Sequence, residues 1–291
     1  MLTVPAVRGR ELRGVKSVYQ TLLYEKKGKV AHIQFNRPKA LNAINLEMME
    51  ELPKAIKTAD KDDDISVIIL SGAGKSFGAG YDLKLDWGAI YGGKAGRTPL
   101  GTRQMLIDCA AYEFAPWDCQ KPTIAMVRGH CVAGSCELAM MCCVTVASEN
   151  SLFGEPEIRF STAPPVVVMP WTVGLKKARE LLYTGDLIDA QEALRVGMIN
   201  KVVPDDKLEE ETFKLAKRMA TISVEGLKMT KAAINRGAEI AGFREAVNYG
   251  IETGAILDST PTEMYRQFKE ISVKEGLGAA VRWREAQFKD D

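Results

Sequence analysis

The chain has 291 residues, of which 46% are hydrophobic and 26% charged, a soluble globular composition that excludes a disulfide-stapled miniprotein and wholesale disorder. Thirty-nine Lys and Arg against 38 Asp and Glu leave a net charge of +1, so no global field exists to hold a nucleic acid and none is expected to bind. The six cysteines, at 109, 119, 131, 136, 142 and 143, include no C-x-x-C pair and no zinc spacing and read as free thiols in a reducing compartment.

The opening MLTVPAVRGRELRGVKS lacks the apolar core of a secretory signal, and residues 1–17 read as a loose N-terminal extension. No apolar run approaches the roughly 18 to 20 residues of a membrane helix, so the expectation is a cytoplasmic protein without a membrane partner. Residues 18–25 and 30–36 are rich in strand formers around the turn-like KKGK, which predicts a hairpin. Asn45 is placed to cap a helix over 46–60, where Met48, Met49, Leu52 and Ile56 recur at helical spacing. After the charged DKDDD, ISVIILSG reads as a buried strand.

Four glycines follow in GAGKSFGAG at 72–80, a segment that lets backbone approach a ligand closely. It fits neither G-x-x-x-x-G-K-[ST] nor G-x-G-x-x-G opening into a helix, which leaves both nucleotide readings poor. Residues 85–120 hold Trp87, Tyr91, Tyr112 and Trp117 and suggest a mobile segment before a helix near 102–114. A second buried strand, PTIAMVRG, leads into HCVAGSCELAMMCC, where Ala133-Gly134-Ser135 open an apolar helix whose one charge is Glu137. That carboxylate fits two uses, complementing the helix dipole or working at a site where the helix N-terminus favours a developing anion. Glu155 and Glu157 bracket a proline in FGEPEIRF; alone, Glu157 reads as a solvated loop charge. The two histidines, His32 and His130, are too few for a His-rich metal site and read as packed or surface residues. Strands and helices mix up to Val203-Pro204-Asp205, and residues 205–291 read as all helical. The division is therefore an extension over 1–17, a core over 18–204 and a helical region over 205–291.

Six segments in order resemble the crotonase superfamily, specifically the enoyl-CoA hydratase/isomerase family: NRPKALNAI (36–44), SFGAGYDLK (76–84), GHCVAGSCELAMMC (129–142), FGEPEI (153–158), LLYTGDLIDAQEALRVGMINKVVP (181–204) and the ending REAQFKD. The resemblance spans nearly the whole chain. It implies an α/β fold, a crotonase-type spiral of ββα units with a C-terminal helical oligomerisation region, assembled as a homotrimer or a dimer of trimers. It also implies an acyl-CoA substrate, with coenzyme A as part of that substrate and neither metal nor redox cofactor. The family's oxyanion-hole N–H groups fall on Tyr81 and Gly134, and its two catalytic glutamates on Glu137 and Glu157. CoA-binding positions fall on Lys39, Ala40, Lys75, Ala79, Lys84, Phe288 and Lys289, each lysine having a solvated surface charge as its bland alternative. Trp87, Tyr91 and Tyr112 fall where the family lines the acyl pocket, with core packing as the alternative for each.

Backbone donors aimed at a thioester oxygen would stabilise an enolate, and retention of both glutamates favours enoyl-CoA hydration. One departure stands out. Family hydratases follow the second glutamate with a glycine-rich run, one of whose N–H groups fixes the water-holding carboxylate; here the run is STAPPVVVMPW, with Pro165 at the helpful position and no N–H to give. Hydrolysis of an acyl-CoA, double-bond isomerisation and a noncatalytic acyl-CoA-binding subunit therefore stay open at this point.

Overall fold

The computed structural model describes residues 19–288; the extension expected over 1–17 and the candidate Lys289 lie outside the described residues. Strands β1 (Leu22–Lys27) and β2 (Val30–Phe35) form the antiparallel hairpin, turned at Gly28 with φ 62°. Helix α1 (Leu46–Lys61) follows its Asn45 cap, whose side chain accepts from the Met48 N–H, and buries Met48, Met49, Leu52 and Ile56. Strand β3 (Val67–Gly72) then runs into the glycine-rich segment. Next come α2 (Trp87–Gly92), α3 (Pro99–Glu113) and the short α4 (Ala115–Asp118). Helix α3 starts three residues before the expected 102, because Thr98 caps the Gly101 N–H and Pro99 fits the first helical turn.

The chain continues through β4 (Thr123–Val127), β5 (His130–Val132), α5 (Gly134–Met141), β6 (Val144–Ser148) and β7 (Leu152–Gly154). A 3₁₀ turn over Pro156–Phe160 leads to α6 (Met169–Thr184), broken at Gly174. Then β8 (Ile188–Asp189), α7 (Ala190–Arg195) and β9 (Lys201–Val203) close the mixed region. Among the described residues only helices follow: a 3₁₀ turn over Asp205–Lys207, then α8 (Leu208–Met219), α9 (Val224–Ile240), α10 (Phe243–Asp258), α11 (Glu263–Glu275) and α12 (Leu277–Ala286).

Six strands form one sheet in the order β1-β2-β3-β4-β6-β9, parallel beyond the hairpin, and β5-β7-β8 form a second. Isolated bridges from Ile44 to Tyr81 and from Gly78 to Cys131 tie the glycine-rich segment to its surroundings. Side-chain alternation along β3 splits the core. Ile68 and Leu70 join the cluster that contains Leu52 and Ile56 of α1, while Val67 and Ile69 join the cluster that contains Leu208 and Phe213 of α8. A third cluster, with Leu106 and Phe114 against Phe243, Val247 and Ile251, draws α10 toward α3.

His32 is buried in the sheet with its ring 2.7 Å from the Ser71 hydroxyl, and burial holds its titration down near 4, so it stays neutral at ordinary pH. His130 is exposed. Among the described residues no helix is long and apolar enough to cross a membrane.

Candidate active site

The glycine-rich segment is folded on itself around one buried side chain, Asn42. The Arg37 N–H donates to Asn42 Oδ1 at 2.9 Å, and Asn42 Nδ2 donates to the carbonyls of Ala73 (2.9 Å) and Ser76 (2.8 Å). A Cβ on Gly72 would lie 2.1 Å from the Ser76 carbonyl oxygen, so only glycine permits this approach. Beyond the fold, the Ile44 N–H donates to the Gly80 carbonyl and the Asp82 N–H to the Ile44 carbonyl, both at 2.8 Å. In between, the Tyr81 N–H has no protein acceptor among the described residues. An Arg37–Asp82 ion pair at 2.8 Å anchors the far side.

Helix α5 meets this segment head on. Ala133 takes φ 56°, unusual for a residue with a Cβ, and turns the chain so that Gly134 opens the helix with its N–H unused among the described residues. The two segments interlock: a Cβ on Gly134 would stand 2.4 Å from Tyr81 Cε2, and one on Gly80 2.5 Å from Ala133 Cβ. Ser135 Oγ also accepts the Gly80 N–H at 3.2 Å. Two unsatisfied N–H groups thus sit on adjacent backbones, one at a helix N-terminus, an arrangement suited to an oxygen that gains negative charge.

Four glutamates are buried around these donors: Glu113, Glu137, Glu155 and Glu157. Glu137 Oε1 accepts the Val166 N–H at 2.6 Å, while Oε2 has no partner among the described residues. Burial, reinforced by Glu113, Glu155 and Glu157, pushes its titration well above the usual carboxylate range; the Val166 bond opposes the shift. Among the described residues neither Glu157 oxygen has a hydrogen-bond partner, and burial moves it from 4.5 to about 8, with the backbone of its own residue and then Arg284 pulling the other way. Burial favours the protonated form of each, and mutual repulsion opposes their ionising together, so such a set can supply both an acid and a base.

The glycine-free run after Glu157 is held without glycine. The Thr162 N–H donates to the Glu157 carbonyl at 3.2 Å, the Ala163 N–H to Asp258 Oδ1 at 3.0 Å, and the Val166 N–H to Glu137. Pro165 has no N–H, but the next residue provides the bond that Pro165 cannot. The departure seen in the sequence therefore leaves the Glu137 carboxyl fixed.

A cavity of about 500 Å³ opens beside this assembly, lined by Ala79, Tyr81, Lys84, Trp87 and Glu157 together with α3, α11 and α12. Ala133 is among the lining residues, and Gly134 and Glu137 are not. Tyr112 is 1% exposed in the main core and does not reach the cavity, because the buried face of α3 turns its ring inward. Tyr91 stacks 6.5 Å from Trp87 and donates to Asp108 at 2.9 Å, also outside the main cavity. Lys39 and Lys75 are exposed and Ala40 half-buried, on loops flanking the Asn42 clamp. Phe288 lies under the Arg159 guanidinium, 4.6 Å from its ring centre, next to the turn that carries Glu157.

Two residues escaped the sequence reading. Glu113 accepts the Tyr81 hydroxyl at 2.6 Å on Oε1, and Glu155 is 1% exposed. The pattern Thr102, Leu106, Cys109, Glu113 carried the signal for the first, since spacings of four and three put that acid on the buried face of α3.

The enoyl-CoA hydratase/isomerase family model matches residues 25–290. The chain belongs to that family. It is 36% identical to a protein named probable enoyl-CoA hydratase in Rhizobium meliloti, over 93% of this chain and 98% of that one. It is 34% identical to the mitochondrial enoyl-CoA hydratase of Pongo abelii, over 94% and 89% respectively. The crystal structure of an enoyl-CoA hydratase/isomerase from Xanthobacter autotrophicus Py2 superposes with a TM-score of 0.89 at 36% identity, covering 94% of this chain and all of that one. The two sheets with their trailing helices are thus the crotonase fold of this family.

Proposed function

We propose that the protein is an enoyl-CoA hydratase, adding water across the α,β double bond of an enoyl-CoA thioester, with Glu137 and Glu157 as its acid–base pair. The thioester carbonyl accepts hydrogen bonds from the Tyr81 and Gly134 N–H groups, and charge drawn onto that oxygen makes the enolate accessible. Each such donor is worth about 3 to 4 kcal/mol in the transition state. Water held between the glutamates attacks C3 as one carboxylate takes its proton, and the pair returns a proton to C2. Two buried acids that cannot both ionise readily divide these tasks between them.

The observation that carries hydration is the Val166 N–H bond to Glu137: the water-holding carboxyl stays oriented although Pro165 stands where a glycine was expected. Lys84 at the cavity and Lys39, Ala40, Lys75 and Ala79 around the clamp are the proposed contacts for the CoA portion, with Phe288 at the C-terminal end; no other cofactor is invoked. Trp87 walls the acyl side. A homotrimer or dimer of trimers belongs to the same proposal, supported by exposed Met229, Ile234, Tyr249 and Ile256 on α9 and α10. So does a cytoplasmic location, supported by free thiols at all six cysteines. Mass analysis of enoyl-CoA thioesters after incubation tests the reaction: a gain of one water with CoA retained is expected, and release of free CoA contradicts it.

A further inference from the structure

Glu113 is a fully buried acid next to the reaction site with no assigned task. It ends the buried face of α3, and its Oε1 accepts the Tyr81 hydroxyl at 2.6 Å. The same Oε1 lies 2.9 Å from where a Cβ on Gly134 would stand, so the carboxyl touches both segments that carry the free N–H groups. Among the described residues its second oxygen, Oε2, has no hydrogen-bond partner, and neither does Oε2 of Glu137. Gly134 stands three residues before Glu137 on α5, so Glu113 faces the first turn of the helix that carries Glu137. Around Glu113 the ionisable groups are Tyr81, Cys109, Tyr112, Glu137, Glu155 and Glu157. None of these is a cation, so two adjacent ionised carboxylates would find no compensating charge there.

We propose that Glu113 is a positioning residue: it keeps its proton, donates it in a hydrogen bond to the carboxylate of Glu137, and is itself held in place by the Tyr81 hydroxyl. The bookkeeping of donors then closes. Tyr81 donates to Glu113 Oε1, the proton on Glu113 satisfies a Glu137 oxygen, and the Val166 N–H satisfies Glu137 Oε1. Glu137 is fixed by two donors from two different elements, and its remaining lone pairs are left for water. The same link couples the residue that offers an oxyanion N–H to the residue that holds the water, since Tyr81 takes part in both. Burial drives Glu113 in the required direction, well above the usual carboxylate range.

This inference rests on the reading of Glu137 as the water-holding acid, and two readouts keep their failures apart. In the first, kcat/KM for hydration is followed against pH for the wild type, Glu113→Gln and Glu113→Leu. The leucine variant is expected to lose about tenfold or more in kcat through misplacement of Glu137. The isosteric glutamine is expected to recover most of that loss and to move the acid limb to higher pH, because its amide still donates to Glu137 but is a weaker donor than a carboxylic acid and stabilises the Glu137 carboxylate less. An acid limb that superimposes on the wild type overturns the proposal, since a merely structural side chain would not move it. The second readout needs no substrate: the infrared band of protonated carboxyl groups near neutral pH is expected to lose one group's intensity in Glu113→Gln. An unchanged band overturns the proposal even if the protein turns out to hydrate nothing, and a lost band upholds the proton on Glu113 in that same case.

Discussion

Replacing Glu157 by glutamine is expected to stabilise the protein at alkaline pH while disabling it. Glu157 is 9% exposed and among the described residues neither of its oxygens has a hydrogen-bond partner, so the folded state resists its ionisation, and its titration is pushed up to about 8 against 4.5 for the free side chain. Below pH 4.5 both folded and unfolded chains hold the proton and the residue costs nothing. Between the two values the unfolded chain loses the proton and the folded chain keeps it, so stability falls by about 1.4 kcal/mol for each pH unit. Above pH 8 the loss is complete at up to about 5 kcal/mol, part of it shared with the neighbouring glutamates. Glutamine carries no such penalty. Urea denaturation of wild type and Glu157→Gln at equal protein concentration, at about pH 5 and about pH 9, measures the effect. The variant should gain several kcal/mol relative to wild type on going from the lower to the higher pH. A stability difference that is the same at both values refutes the buried, donor-free picture of Glu157.

The same variant should lose about 10²- to 10⁴-fold in kcat, the usual contribution of a general acid or base, read by single-substrate kinetics. Val166→Pro removes the 2.6 Å donor to Glu137; at about 1.5 to 3 kcal/mol for a bond to a charged group, kcat should fall by about 10- to 100-fold with little change in KM. Gly134→Ala pushes a methyl against Tyr81 Cε2 at 2.4 Å and Glu113 Oε1 at 2.9 Å, and displacement of that oxyanion donor should cost about 10²-fold or more in kcat. Asn42→Ala leaves the Ala73 and Ser76 carbonyls and the Arg37 N–H without partners, so unfolding free energy should drop by about 2 to 4 kcal/mol in denaturant titrations.

Much of the architecture was legible because its signals are local. The Asn45 cap, the apolar ISVIILSG and PTIAMVRG strands and the glycine cluster each dictate their own backbone. Family order across six segments then gave the fold. What stayed hidden depends on side-chain direction across distant parts of the chain. Glu113 comes from α3 and Glu137 from α5, and only tertiary packing makes them neighbours. Tyr112 is adjacent to Glu113 in sequence, and the helix turn sends its ring into the core instead of the cavity. Pro165 removes a donor at one position of the sequence and left the reaction open, but a hydrogen bond needs a donor in space; Val166, one residue on, provides it. Which tyrosine faces a pocket, and which N–H meets a carboxylate, are decided by helix rotation that composition and spacing do not fix.

The central claim is water chemistry on an enoyl thioester, and one measurement meets it directly. Linear, branched, aromatic and cyclic enoyl-CoA thioesters are incubated with the wild type and with Glu157→Gln, and the acyl-CoA products are weighed by mass spectrometry. The account expects a gain of one water with CoA retained for at least one acyl class, absent in the variant. Free CoA with a released acid, or a shifted double bond at unchanged mass, would contradict it.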